Sequence, residues 1–179
     1  LIFELKEQQN KSAELLIVDP DIVEANNIPR SNFCFAEVGR FKAQTLAERV
    51  TTAWGIETSL GGESTDSEKH FKNSNSDYRS LSIIVGCVDN YRARREMHRA
   101  LDEFRSYGES SRVWWIDGGN GKTSGQVLLG STTKALKPEQ YFTGTSICRA
   151  LPAPSLQHSD LLKPEKVEEK SDASCPERV

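Results

Sequence analysis

Short apolar runs that end in polar turns set the pattern of this chain. Residues 15–18 stop at Asp19-Pro20-Asp21, and residues 81–88, the strongest run, stop at Asp89-Asn90. Such runs, β-branched and bounded by turn residues, are typical of buried parallel strands. Weaker runs predict further strands over residues 56–60, 111–116 and 126–129.

After two of these predicted strands, apolar residues recur at the spacing of a helix. An apolar three-to-four spacing predicts a helix over residues 36–52. Another helix is expected after Asn90, a candidate N-cap, because Met97 and Leu101 recur at helical spacing. The last strand is expected to run antiparallel across a turn at residues 118–121. These elements predict an α/β fold with a mainly parallel sheet.

The remaining segments are polar. Residues 61–78 are rich in Ser, Asn and Gly and predict a surface loop. Residues 150–179 contain prolines, are charged towards the end, and predict a crossover or tail segment. We therefore expect residues 1–149 to form the main domain.

Acidic residues at strand ends and isolated cations suggest a nucleotide site. Ligands of open α/β sheets bind outside the carboxyl ends of the strands, where Asp19 is expected. A carboxylate there suits a ribose hydroxyl, and Arg30 and Lys42 further along suit phosphates. Lys42 is expected in the first turn of a helix, where a cation is disfavoured unless an anion lies nearby.

Composition narrows the class of protein. A net charge of −3 and a pI near 5.7 give no reason to expect a nucleic-acid partner. No apolar run reaches the length of a membrane span, and no signal peptide is visible, so a soluble cytoplasmic protein is expected. The four cysteines form no Cys-x-x-Cys pair, so we expect no structural zinc site.

Several motifs together resemble the signature of the ThiF/MoeB/ubiquitin-activating-enzyme superfamily. They are VDPDIVEANNIPR, the following VGRFK, and CVDN with Arg94 beyond it. Their order matches the Asp-x-Asp, Asn-x-x-Arg, Val-Gly-x-x-Lys and Asp-Asn-x-x-x-Arg pattern of that superfamily. The run IDGGNGKTSGQVLLG, together with the late Ser174-Cys175, is most similar to the ThiF-type protein of bacterial PRTRC gene systems.

The resemblance implies a Rossmann-like, ThiF-type nucleotide-binding fold. Members adenylate the C-terminal glycine of a ubiquitin-like or sulfur-carrier protein, so ATP, Mg²⁺ and such a carrier are expected. The glycine-rich turn that should precede Glu14 is absent, and we therefore expect the fold to be truncated at the N-terminus.

By resemblance, the first motif holds the nucleotide. Asp19 takes the ribose hydroxyls, while Asp21 supports the turn or contacts the nucleotide. Asn27, Arg30 and Lys42 hold the triphosphate, and the two cations stabilise charge on the α-phosphorus. The alternative for each is an ordinary turn, loop or helix-surface residue.

The second motif is expected to hold the metal. Asp89 is the expected Mg²⁺ ligand, with Asn90 beside it, because Mg²⁺ takes one or two carboxylates and completes its shell with phosphate oxygens. Either residue could instead cap the following helix. Arg94 is expected in a structural ion pair or in support of the site from behind.

Other functions remain open at this point. Ser31 replaces the Gln that usually follows the Arg of the first motif, which favours a nucleotide-binding scaffold that has lost turnover. A NAD-dependent oxidoreductase is also compatible with Asp19. Cys148 and Cys175 are candidates for a carrier thioester, although unreactive thiols are the simpler interpretation. Homodimerisation is expected by resemblance, since the sites of similar dimers can take an arginine from the neighbouring subunit.

Overall fold

The computed structural model describes residues 13–60, 81–105, 113–120, 124–142, 144 and 148–164. These residues divide into two compact units, residues 1–70 and 71–179. The segment 61–78, the residues before Ala13 and Cys175 fall outside the described residues. Within the described ranges, no helix is long and apolar enough to cross a membrane.

The first unit is a parallel strand pair with one helix. Strand β1 (Glu14–Ile17) pairs in parallel with β2 (Glu57–Leu60), and helix α1 (Lys42–Trp54) connects them in sequence. A 3-10 turn at Ala25–Asn27 lies between β1 and α1. This β-α-β order confirms the expected parallel pairing.

Helix α1 begins at Lys42, later than its apolar spacing predicted. Phe35–Glu37 forms a 3-10 turn instead, and Gly39 adopts a positive φ of 88°. Since a left-handed residue cannot continue a right-handed helix, the chain must restart after Gly39. The helix ends at Trp54, and Gly55, also at positive φ, caps it.

The second unit is a three-stranded sheet. Strand β3 (Ser82–Gly86) pairs in parallel with β4 (Val113–Asn120), and β4 pairs antiparallel with β5 (Gly125–Gly130). Helix α2 (Tyr91–Arg105) follows β3, and a short helix α3 (Pro154–Gln157) comes after β5. The α/β class and the antiparallel last strand are confirmed.

The turn expected at residues 118–121 is partly wrong. Gly118 and Gly119 belong to β4 and pair with Val127 and Gln126 of β5. Glycine lowers strand propensity, which is why the sequence suggested a turn, but pairing with β5 extends the strand.

One face of this sheet carries the core of the second unit. Ile84 and the fully buried Trp115 pack with Leu101 of α2 and with Ala153. Residues 150–164 therefore contribute to the core through Ala153, although they were expected to be a crossover or tail. The division of the chain at residue 149 stays a prediction.

The position of Cys87 differs from the one that the apolar run over residues 81–88 predicts. The strong apolar run suggested that it lies in the strand core, but β3 ends at Gly86 and the Cys87 side chain is exposed. An apolar run predicts the presence of a strand better than its last residue.

Candidate functional site

An Asp-containing turn follows β1. Asp19 Oδ1 accepts a hydrogen bond of 2.9 Å from the backbone N–H of Asp21. Short carboxylate side chains close turns of this kind by bonding the backbone two residues on. Asp19 therefore has the turn role that its simpler interpretation predicted, and it lies where a ribose contact was expected.

The same turn brings Asp21 and Lys42 together. Lys42 Nζ lies 2.9 Å from Asp21 Oδ2, and the Lys42 backbone N–H donates to the Asp21 carbonyl at 2.9 Å. The hydrogen bond that the Lys42 ammonium donates to Asp21 raises the pKa of Lys42 above its usual value. Since an ammonium has three donors, this contact leaves others for an anion. Lys42 is the first residue of α1, as expected.

Asn27 and Arg30 differ in how they are held. The nearly buried Asn27 amide accepts from the Glu24 N–H and donates to Asn26 Oδ1, both at 3.0 Å. Its contacts hold the 3-10 turn in shape. Arg30 is exposed, and within the described ranges its guanidinium has no ion pair or hydrogen bond. Arg30 is therefore the freer of the two to meet an anion.

In the second unit, Asp89 and Asn90 follow β3. Asn90 Oδ1 accepts from the Ala93 N–H at 2.9 Å, which confirms Asn90 as the N-cap of α2. Asp89 is exposed, and its Oδ1 lies 3.5 Å from Asn90 Nδ2. Because Asn90 supplies the cap, the Asp89 carboxylate has no such structural task.

Asp89 lines a cavity of about 220 Å³ in the second unit. The lining is mostly polar or charged and includes Asp89, Tyr91, Arg94, Gln126, His158 and Lys163. Residues of the segment 158–163 thus line the same cavity as Asp89, which follows β3. A cavity with both carboxylate and cationic groups suits a charged polar ligand.

Arg94 forms a buried ion pair, as expected. Its Nε lies 3.2 Å from each carboxylate oxygen of Asp117, and its Nη2 donates to the Val88 carbonyl at 2.6 Å. Asp117 is fully buried and Arg94 is 11% exposed. Burial raises the pKa of Asp117, and the charge of Arg94 and its hydrogen bonds oppose that rise.

Asp117 is the residue of this region that sequence reasoning missed. It directly follows the strand predicted over residues 111–116, in the same kind of position as Asp19 and Asp89. An acidic residue directly after an apolar run was therefore the available signal.

The residues that could hold a metal are few. Among the described residues, no group of three or more His, Cys, Asp and Glu side chains could hold an ion. The exposed carboxylate of Asp89 still fits Mg²⁺ that arrives with phosphate oxygens, since this ion needs only one or two carboxylates. The donor set therefore fits a nucleotide-bound ion better than a protein-held one.

The described residues include three of the four cysteines. Cys34, Cys87 and Cys148 are exposed, and the Cys148 thiol donates to the Ala150 carbonyl at 3.5 Å. A thioester role for Cys148 or Cys175 stays the alternative to the simpler interpretation of unreactive thiols.

Comparisons with known proteins identify the family. The ThiF family matches residues 12–177. The ubiquitin-like modifier-activating enzyme 5 of Arabidopsis thaliana is 34% identical over 115 residues, which cover 55% of this chain and 26% of that protein. The chain thus aligns with about a quarter of that relative's length. Since the family match covers most of the residues, the chain belongs to the ThiF family.

Proposed function

We propose that this chain is part of an ATP-dependent adenylyltransferase. Its protein substrate is a ubiquitin-like or sulfur-carrier protein, whose C-terminal glycine is activated as an acyl-adenylate. Membership of the ThiF family and the similarity to a ubiquitin-like modifier-activating enzyme support this class of reaction.

The contact between Lys42 and Asp21 is the observation that carries the proposal. It holds an ammonium at the turn after β1, which is where α/β sheets bind ligands. In this proposal Asp19 receives the ribose, and Asp21 positions Lys42 for the phosphates. Arg30 adds an exposed guanidinium, which suits bidentate phosphate contacts.

The reaction requires charge neutralisation more than a nucleophile on the protein. A carboxylate oxygen of the carrier forms a bond to the α-phosphorus. The bond from that phosphorus to the bridging oxygen breaks, and pyrophosphate leaves with the electron pair. Arg30 and Lys42 stabilise the negative charge on the phosphate oxygens. Mg²⁺ held by Asp89, with Asn90 beside it, supplies further positive charge when bound.

A nucleotide-binding scaffold is the second candidate. Ser31 is exposed at the position where the family usually has Gln, so a contact expected on the substrate side is missing. Such a protein would bind Mg·ATP without turnover. A NAD-dependent oxidoreductase would instead bind NAD and not ATP.

Pyrophosphate exchange into ATP tests the proposal. The full-length protein is assayed with glycine-terminated ubiquitin-like candidates from the same locus, together with Arg30→Ala and Asp89→Ala. Arg40→Ala and Asp102→Ala are matched controls, since both are charged residues outside the proposed site. We expect carrier-dependent exchange that the first two variants lose and the controls retain.

Other outcomes separate the candidates. Full exchange by Arg30→Ala or Asp89→Ala would refute the role of that residue. Mg·ATP binding without exchange by any carrier would favour the scaffold. Binding of NAD in place of ATP would favour the oxidoreductase.

We also infer a homodimer, as the resemblance implies, and we propose the cytoplasm as its location. The similarity of residues 116–130 to the PRTRC-type protein suggests that the carrier is encoded in such a gene system. Genes beside this one are therefore the first source of carrier candidates.

A further inference from the structure

The Arg94–Asp117 pair lies deep in the second unit, behind Asp89. Asp117 is in β4, opposite Gly86 of β3. A buried ion pair is weak support for stability, because removing both charges from water costs about as much as their attraction returns. Burial raises the pKa of the Asp117 carboxyl, which is the direction that this cost predicts. A role other than stability would explain why a charge is retained in this core.

The guanidinium of Arg94 connects this pair to the backbone next to Asp89. Strand β3 ends at Gly86, so Val88 lies beyond the strand ladder. The Arg94 Nη2 contact of 2.6 Å holds the Val88 carbonyl, one residue before Asp89. On the other side, the N-cap contact of Asn90 with the Ala93 N–H holds the chain. Contacts of both neighbouring residues, Val88 and Asn90, therefore hold the backbone on either side of Asp89 in place.

The packing around Asp117 leaves its carboxylate little freedom. A Cβ atom on Gly86 would lie 2.8 Å from Met97 Sδ, and 3.1 Å from both Asp117 Oδ1 and Trp115 Nε1. A side chain at Gly86 would therefore displace the carboxylate or its neighbours. The absence of a side chain lets Asp117 approach β3 and orient Arg94.

We propose that Asp117 is a positioning residue for Asp89, acting through the Arg94 guanidinium and the Val88 carbonyl. The inference rests on the proposed function, in which Asp89 holds Mg²⁺ with the nucleotide. Asp117 itself is fully buried and is given no contact with substrate. Residues behind a metal ligand commonly change metal affinity about tenfold to a hundredfold when they are replaced.

The test compares Asp117→Asn with Asp102→Asn in the full-length protein. Both remove one carboxylate from the second unit, but Asp102 bonds the Thr133 hydroxyl and lies outside the Arg94 contacts. Mg·ATP binding is measured by calorimetry, and pyrophosphate exchange is measured against Mg²⁺ concentration. We expect Asp117→Asn to raise the Mg²⁺ requirement and weaken Mg·ATP binding about tenfold to a hundredfold, with the KM for carrier unchanged. Asp102→Asn is expected to match the wild type.

A double variant distinguishes positioning from a loss of folded protein. If Asp117 acts through Asp89, Asp117→Asn should add nothing to Asp89→Asn in Mg·ATP binding. If Asp117→Asn does not fold, Arg94→Lys takes its place. That variant keeps a positive charge beside Asp117 but lacks the planar fork that reaches the Val88 carbonyl. We expect it to show the same increase in Mg²⁺ requirement.

The outcomes separate this inference from the proposed function. The positioning role alone would be overturned if Asp117→Asn, or Arg94→Lys in its place, showed the Mg²⁺ dependence of the wild type. Additive effects on Mg·ATP binding in the double variant would also overturn it. Mg·ATP binding without exchange would overturn adenylation, while the binding data still decide the role of Asp117. A wild type that neither binds Mg·ATP nor catalyses exchange would overturn both.

Discussion

Lys42 occupies a position that is electrostatically unfavourable for a cation. It is the first residue of α1, where the partial positive charge of the helix dipole repels an ammonium. Its hydrogen bond with Asp21 offsets this repulsion and raises its pKa. A raised pKa means that the contribution to stability is complete below the unfolded pKa of about 10.4 and is lost as the pH rises through the folded value. The pair is therefore intact at neutral pH.

Replacing Lys42 should affect nucleotide binding more than folding. In Lys42→Gln, we expect the free energy of unfolding to fall by less than about 1 kcal/mol, since the Asp21 side chain is 66% exposed. Mg·ATP affinity should fall about tenfold to a hundredfold, as the loss of a charged hydrogen bond would give. Urea unfolding and calorimetric titration measure the two effects.

Arg40→Gln is the matched control for this variant. Arg40 lies in the same unit and loses an exposed ion pair with Glu48, but it has no proposed contact with phosphate. Equal loss of Mg·ATP affinity in both variants would contradict a specific role for Lys42.

Sequence reasoning identified Asp19, Asp21 and Lys42 individually but not the contact between the last two. Each residue carried a local signal, namely a strand end or a helix start. Asp21 and Lys42 are 21 positions apart, and their contact depends on how the intervening loop returns to the turn. Local propensity contains no information about that return.

At the scale of elements, Glu37 connects the 3-10 turn Phe35–Glu37 to α1. Its carboxylate accepts from both Nε and Nη2 of Arg49 and from the Cys34 N–H. The Cys34 N–H, followed by Arg49, lowers the pKa of Glu37. The contribution to stability is therefore present above the unfolded pKa and is lost as the pH falls through the folded value.

Glu37→Gln should make the stability of the protein depend less on pH in the acidic range. The variant is expected to be less stable than the wild type at pH 7, and the difference should shrink as the pH falls below about 4.3, where unfolded glutamate is protonated. The urea midpoint measured at several pH values checks this. Glu57→Gln, at an exposed position in β2, serves as the control; a pH-independent difference for Glu37→Gln would contradict the assignment.

The end of β5 packs tightly against the segment that precedes α3. A Cβ atom on Gly130 would overlap the Pro152 carbonyl oxygen and would lie 2.6 Å from Ala153 Cα. Because both are backbone atoms, Gly130→Ala must move the chain. We expect it to lower the free energy of unfolding by about 1–3 kcal/mol or more, measured by urea unfolding.

Gly144→Ala provides the comparison for Gly130. Among the residues that the structure describes, no atom would lie within 4 Å of a Cβ at Gly144, so the stability of Gly144→Ala should stay within about 0.5 kcal/mol of the wild type. An equally stable Gly130→Ala would show that residues 150–153 can shift freely.

The sequence predicted which segments form helices and which form strands, but it predicted their first and last residues less accurately. Helix α1 was expected from residue 36 because apolar residues before Lys42 continue its spacing. The 3-10 turn and the positive φ of Gly39 override that spacing. The core role of Ala153 was also missed, since a small residue between prolines carries no periodic signal.

At the scale of the whole molecule, the resemblance predicts a homodimer whose sites share an arginine. Sedimentation equilibrium of the full-length protein should give twice the mass of one chain. Specific exchange activity should fall on dilution in parallel with dissociation, because a separated subunit would lack the shared cation. A monomeric protein with constant specific activity would contradict this prediction.

The family was predictable from the sequence because its motifs are ordered and polar, and residues of this kind are recognisable without a structure. The Arg94–Asp117 pair illustrates the opposite case. Arg94 was identified through its motif, but the burial of Asp117 depends on packing from β3, α2 and β5 together. Burial is a property of the assembled unit and is not visible in a local pattern.

The position of Trp115 also gives this unit an optical reporter. Its fully buried indole and the Asp117 carboxylate both border the space above Gly86. The wavelength of indole fluorescence depends on the electric field and the polarity around the ring. A change in the Arg94–Asp117 pair should therefore shift the emission maximum of Trp115. With Trp54 and Trp114 replaced by Phe, the emission spectrum would report on the arrangement behind Asp89 without any added dye.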